Sequence, residues 1–275
     1  MHELKNKINE TTKFIKDELG HMPKPDIAII LGTGLGNLTG KIEDRRNMEY
    51  WKIPHFPVST VKSHKGELVF GRIGNKNIVA MEGRLHYYEG YSLDEVTYPV
   101  RVVKALGAGT LVVSNAAGGM NPRFKAGDLM AIADHINFMG VNPLMGPNDD
   151  SLGPRFPDFC DLYDPKLVEL AGTIAKEEGL NLHKGVYVGV TGPNLETRAE
   201  YKLFQIIGAD AVGMSTVPEV IVARHAGLRI FGISVITDVC LPETLKPCNI
   251  DEIIKAANEA EPKLTKLIYT LIERI

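Results

Sequence analysis

The chain has 275 residues, 44% hydrophobic and 24% charged, with a formal net charge of −3. This is a soluble, globular composition, and without a basic cluster it argues against nucleic acid as a partner. No apolar run approaches the roughly 18 residues that a membrane-spanning helix needs.

The polar, periodic start, MHELKNKINETTKFIKDELG, has the pattern of neither a signal nor a transit peptide. Leu4, Ile8, Ile15 and Leu19 give it one apolar face, so it reads as an amphipathic helix stopped by Gly20. DIAIIL (26–31) is a short apolar run before glycines, hence a buried strand. LVFGRIGNKNIVAME (68–82) reads as a hairpin around Gly74-Asn75. Ser92 with Glu95 is a capping box that opens a helix ending at Gly107. TLVVSN (110–115) is a strand, and Asp164-Pro165 opens a helix that stops at Gly179. GVYVGVTG (185–192) is a strand, and Thr197 with Glu200 caps the next helix. DAVGM (210–214) is a strand, and Thr216, Pro218 and Glu219 start another helix. LRIFGISVIT (228–237) is the last strand, and a final helix covers about 250–273. Cys160, Cys240 and Cys248 fall in no CxxC spacing and read as reduced thiols of a cytoplasmic protein. Strands alternating with helices argue an α/β fold: one domain, 1–275, with a mixed, largely parallel central sheet flanked by helices.

Ligands of such sheets bind beyond the carboxyl ends of the strands, and those ends are rich in chemistry here. GTGLG (32–36) lets backbone N–H groups approach an anion. It is one residue short of a dinucleotide fingerprint and lacks the acid that should end the second strand. A nicotinamide-dependent oxidoreductase is therefore a weaker reading. Arg84 and His86 in GRLHYYEG stand two apart, on one side of an extended segment, and suit a phosphate. His64 lies in a polar, glycine-flanked loop. Ser215 precedes a helix N-terminus, where anions are favoured. Asp238 follows the last strand.

Together, ILGTGLG, HFPVSTVKSHKGELVFG, GRLHYYEGY, SNAAGGMNPRFKAGDLM, GPRFPDF, GPNLETRAE and GADAVGMSTVPEVIVARHAGLRIFGIS resemble the low-molecular-mass, trimeric purine nucleoside phosphorylases, from about residue 26 to 240. The resemblance implies a phosphorylase/hydrolase-like fold. It also implies a pentosyl transfer: purine nucleoside plus orthophosphate gives purine base plus α-ribose 1-phosphate, with no metal or organic cofactor. Carried over by position, the phosphate site is Thr33, His64, Arg84, His86, the Ala116 backbone N–H and Ser215. The family usually has serine where this chain has Thr33. Tyr88 and Met214 pack on the ribose, and Ala117, Gly118, Val212, Gly213 and Thr237 complete the nucleoside pocket. Phe156 reaches into a neighbouring subunit's site, which makes a homotrimer the implied assembly. Leu195 stands where relatives are commonly aromatic, Glu196 holds the purine's Watson–Crick edge, and His86, Glu196 and Asp238 carry the catalysis.

Two departures bear on the substrate. Relatives specific for 6-oxopurines are expected to have asparagine where this chain has Asp238. A carboxylate accepts hydrogen bonds but cannot donate them, so it suits the 6-amino group of adenine; a protonated Asp238 can donate to N7 as a general acid. Ile250 aligns nearest to a histidine that meets the ribose 5′-hydroxyl, and an apolar residue suits a 5′-methylthio group. Both favour adenosine or 5′-methylthioadenosine. Glu196 points the other way, because it pairs naturally with the N1–H of hypoxanthine or guanine. A non-catalytic purine-binding module on the same scaffold is the remaining alternative. It is disfavoured because a sensor needs no second, anion-binding pocket.

Overall fold

A computed structural model describes residues 2–20, 22–32, 36–60 and 65–275. In chain order the elements are α1 (His2–Leu19), β1 (Ile27–Ile30), β2 (Glu43–Glu49), β3 (Glu67–Ile73), β4 (Lys76–Glu82), α2 (Leu93–Leu106), β5 (Thr110–Gly119) and β6 (Leu129–Asn137). They continue with α3 (Pro165–Glu177), β7 (Leu182–Gly189), α4 (Arg198–Ile206), β8 (Ala211–Gly213), α5 (Val217–His225), β9 (Arg229–Val239) and α6 (Ile250–Arg274). Thr33 and His64 lie outside the described residues. Among those described, no helix is long and apolar enough to cross a membrane.

The helices start where the chain supplies caps. Ser92 Oγ accepts from the Glu95 amide at 3.3 Å, and Glu95 Oε2 accepts from the Ser92 amide at 2.8 Å. Asp164 Oδ1 accepts from the amides of Lys166 and Leu167, and Pro165 occupies the first helical position, where a missing N–H costs nothing. Asn249 Oδ1 caps α6 through the Asp251 amide. Ser92→Ala is expected to lower the unfolding free energy by about 1 kcal/mol. It would be read as a lower urea midpoint at constant slope; an unmoved midpoint would mean that α2 does not depend on its cap.

One nine-stranded sheet runs through the molecule, in the order β2-β3-β4-β1-β5-β8-β7-β6-β9, and β9 returns to pair with β5. The strands β5, β8, β7, β6 and β9 therefore close into a ring, with β1, β4, β3 and β2 as an open wing. Parallel pairs are β1–β4, β1–β5, β5–β9, β6–β7 and β7–β8. The antiparallel pairs are β2–β3, β3–β4, β5–β8 and β6–β9. The sheet is mixed, as expected, and its closure is the feature that the alternation of elements does not announce. On one face α1, α2 and α5 bury Ile15, Tyr50, Val103 and Val220; on the other, α3 and α6 bury Ile29, Ile174, Phe231 and Ile268. Each such side chain stabilises the fold by about 1.5–3 kcal/mol relative to exposure. A smaller core under α4 holds Met120, Val188, Tyr201, Phe204 and Cys240.

Two strand ends correct the expectations. Residues 116–118, expected beyond a strand ending at 115, lie within β5, because β9 and β8 hold them. Asp238, expected just past the last strand, lies within β9. The ladder pairs Ala117 with Ile236 and then Gly118 with Asp238, so Thr237 is an extra residue, a β-bulge.

Candidate active site

The fork in β5 makes the site. Residues Thr110–Val113 pair with β1, and Gly118 and Gly119 pair with β8. Between these pairings β1 has ended and β8 has not begun. The Ser114 carbonyl accepts from Arg84 Nη1 at 2.8 Å there. In a strand, groups two residues apart face the same way, so the Ala116 amide turns to that side as well. A cleft of about 190 Å³ opens at this place.

Arg84 follows β4 and is 1% exposed. Its Nε donates to Glu219 Oε1 at 3.0 Å, and Glu219 Oε2 accepts from the Thr216 amide at 3.1 Å. A buried ion pair thus ties Arg84 to the first turn of α5. His86 is set by Glu89: Oε1 of that carboxylate accepts from the His86 amide at 2.8 Å and meets ring Nδ1 at 2.9 Å. Burial alone pushes the Glu89 carboxyl up, but the donors of Thr60 and His86 outweigh it and leave it below the usual range. Glu89 is therefore ionised at neutral pH, and His86 Nδ1 is the donor. Tyr88 stacks on the His86 ring, with centroids 4.6 Å apart.

Ser215 leads into α5 through a strained turn. Thr216 has φ 69° and ψ −51°, and the Val217 amide donates to the Ser215 carbonyl at 2.7 Å. This is the uncommon γ-turn with positive φ, and a β-branched residue there costs on the order of 1–3 kcal/mol. Asn115 Nδ2, on β5, donates to Thr216 Oγ1 at 2.8 Å and holds the turn. Ser215 Oγ lies 3.1 Å from the same hydroxyl. The Tyr187 hydroxyl sits 3.4 Å from the Ser215 carbonyl and amide; burial pushes its pKa up to about 12, so it stays protonated. Gly213, two residues earlier, admits no side chain, because a Cβ there would run into the Tyr187 hydroxyl.

The far wall carries two carboxylates. The bulge at Thr237 brings Thr237 and its neighbour Asp238 to the same cleft. Thr237 Oγ1 donates to Asp238 Oδ1 at 2.8 Å, and the Cys240 thiol donates to Oδ2 at 2.9 Å. Glu196 stands between β7 and α4. Burial pushes its carboxyl up, and the charges of Glu200 and Asp238 push the same way.

The cleft collects Arg84, His86, Tyr88, Ala116, Ala117, Gly118, Leu195, Glu196, Val212, Gly213, Met214, Ser215, Thr237 and Asp238. Ile250 is not among them. It is the first residue of α6 and 59% exposed, while Ile253, almost one turn further on, lines the cleft. Phe156 is also elsewhere: it is 87% exposed, with the Arg155 guanidinium over its ring. Tyr201 and Cys240 line the cleft and are absent from the sequence-based set. Cys240 follows Asp238 by two residues at a strand end, and that period-2 spacing was the available signal. A larger opening of about 770 Å³, lined by Arg198, Lys246, Glu252 and Ile253, adjoins Glu196 and Asp238.

Residues 26–273 match the Phosphorylase superfamily. The chain is 49% identical over 269 residues to purine nucleoside phosphorylase 1 of Bacillus subtilis (strain 168), covering 98% of each chain. A Schistosoma purine nucleoside phosphorylase in complex with hypoxanthine superposes with a TM-score of 0.92 at 40% identity, covering 98% of this chain and 97% of that one. The Schistosoma mansoni enzyme in complex with adenosine gives a TM-score of 0.93 at 39% identity, with the same coverage.

Proposed function

The chain belongs to the purine nucleoside phosphorylases of the phosphorylase superfamily, and on that premise we propose that the cleft beside the β5 fork is where it works. It is a pentosyltransferase: a purine nucleoside and orthophosphate give the free base and pentose 1-phosphate. The observation that carries the assignment of the site is its composition. One cleft joins an arginine, a histidine and a serine hydroxyl, which suit an anion, to two carboxylates, which suit the polar edge of a base.

In this reading phosphate is held by Arg84, His86, Ser215 and the Ala116 amide, with Thr33 and His64 added by the resemblance of their motifs. One phosphate oxygen bonds to the anomeric carbon on the face opposite the base. The carbon–nitrogen bond breaks, its electron pair leaves with the purine, and a proton joins the base. Orthophosphate is itself the nucleophile, so the reaction calls for no metal or organic cofactor. Positioning and charge stabilisation supply the rate. Tyr88, Met214, Ala117, Gly118, Val212, Gly213 and Thr237 enclose the nucleoside. Glu196 and Asp238 meet the base, with Leu195 beside it. The exposed ring of Phe156 suits a homotrimer in which it completes a neighbour's cleft. Residues 1–275 act as one catalytic unit, in the cytoplasm.

A second reading is favoured by Asp238. Both its oxygens already accept hydrogen bonds, so it offers the base acceptors only. That suits a 6-amino group, and Ile253 in the cleft suits an apolar 5′ substituent. Purine release from inosine, guanosine, adenosine and 5′-methylthioadenosine, each with and without phosphate, tests both readings. Phosphate-dependent release is expected. Release independent of phosphate would overturn the phosphorylase assignment, and equal rates on 6-oxo and 6-amino nucleosides would remove the second reading.

A further inference from the structure

Asp238 of the far wall is held from two sides, one of them by the Cys240 thiol. The thiol is 2% exposed and donates to Asp238 Oδ2 at 2.9 Å. Thr237 holds the other oxygen of Asp238. Thr237, Asp238 and Cys240 therefore form a chain of hydrogen bonds along one wall of the cleft, with Glu196 and Tyr201 beside it. Cys240 has little room to leave it: a Cβ added to Gly118 on β5 would already lie 3.0 Å from its sulfur.

The geometry points to Cys240 as a positioning residue that fixes the carboxylate of Asp238, which selects the purine by the group at its position 6. The inference rests on the reading that Asp238 faces the base. With Thr237 and Cys240 donating to it, Asp238 keeps a fixed orientation and presents lone pairs to the cleft, where a 6-amino group has a proton to give. A 6-oxo group there would set acceptor against acceptor. Burial pushes the Cys240 thiol far up, so it stays protonated and remains a donor.

The test compares Cys240→Val and Cys240→Ser with the wild-type chain. It measures kcat/KM for adenosine and inosine with phosphate, and the affinities for free adenine and hypoxanthine by calorimetry. Cys240→Val, which removes the donor at similar volume, is expected to lower the adenosine-to-inosine ratio about tenfold. Cys240→Ser, which keeps a donor, is expected to restore most of it. A purely structural loss would lower both nucleosides alike and would not be restored by Cys240→Ser. Equal losses on both nucleosides in Cys240→Val would overturn the inference. Loss of adenine preference in the binding arm, in a chain that releases no purine, would sink the phosphorylase reading while leaving this inference standing.

Discussion

Arg84→Ala is expected to cripple phosphate use and to loosen the fold, and the two effects can be separated. Arg84 is 1% exposed, and its Nε holds a carboxylate that is itself buried. Removing one partner of such a pair leaves an uncompensated charge and costs about 3–5 kcal/mol. The second loss is chemical. In the proposed site Arg84 is the one side chain able to offer a fork of N–H donors to phosphate. Its removal should lower kcat/KM for phosphate by about 10²–10³, the scale of losing one charge-stabilising donor. Arg84→Ala combined with Glu219→Gln removes the stranded charge. Thermal unfolding of that pair should recover toward wild type while phosphate kinetics stay poor. If phosphate kinetics recover with stability, Arg84 serves only as a strut between β4 and α5.

Asp238→Asn carries the second large effect. The change keeps the size and converts one acceptor into a two-proton donor. Asparagine can donate to both N7 and O6 of a 6-oxopurine, which the carboxylate of Asp238 cannot. The ratio of kcat/KM for inosine over adenosine should rise by about 10²-fold, because a polar site discriminates strongly against the wrong donor pattern. Thr237 and Cys240 donate to the carboxylate in the native chain, so the amide must also rotate to keep one of them. An unchanged ratio, with both rates lowered, would mean that Asp238 holds the end of β9 and does not read position 6.

Much of the fold was legible because its signals are local. The caps at Ser92, Asp164 and Thr197 and the turn at Gly74-Asn75 mark elements that the structure shows. β2 was hidden because it is an edge strand of EDRRNME, polar and exposed over most of its length, so no alternation betrays it. β6 was hidden because its apolar first half faces the sheet core while its second half, through Asp134 and Asn137, is solvated. No local pattern can reveal that β9 returns to β5. In the cleft, chemistry-bearing residues beside glycines were readable, and residues brought in through space were not: Tyr201 lines it from the next helix. Ile250 opens α6 outside the cleft lining because Asn249 caps the helix there, and the segment before α6 has no periodicity that announces that phase. The expectations for Thr33 and His64 fall outside the described residues.

The closed ring has a consequence for how the chain comes into being. Its seam pairs Thr110 with Arg229, and Gly119 with Val239. Bringing such distant segments together costs loop-closure entropy before any contact repays it. A ribosome delivers β9 only after every other strand has been made. Until then β5 lacks the neighbour that carries Thr237 and Asp238, and the wall that meets the base does not exist. A nascent chain therefore passes through no half-competent site, and recognition of the purine arrives with the last strand.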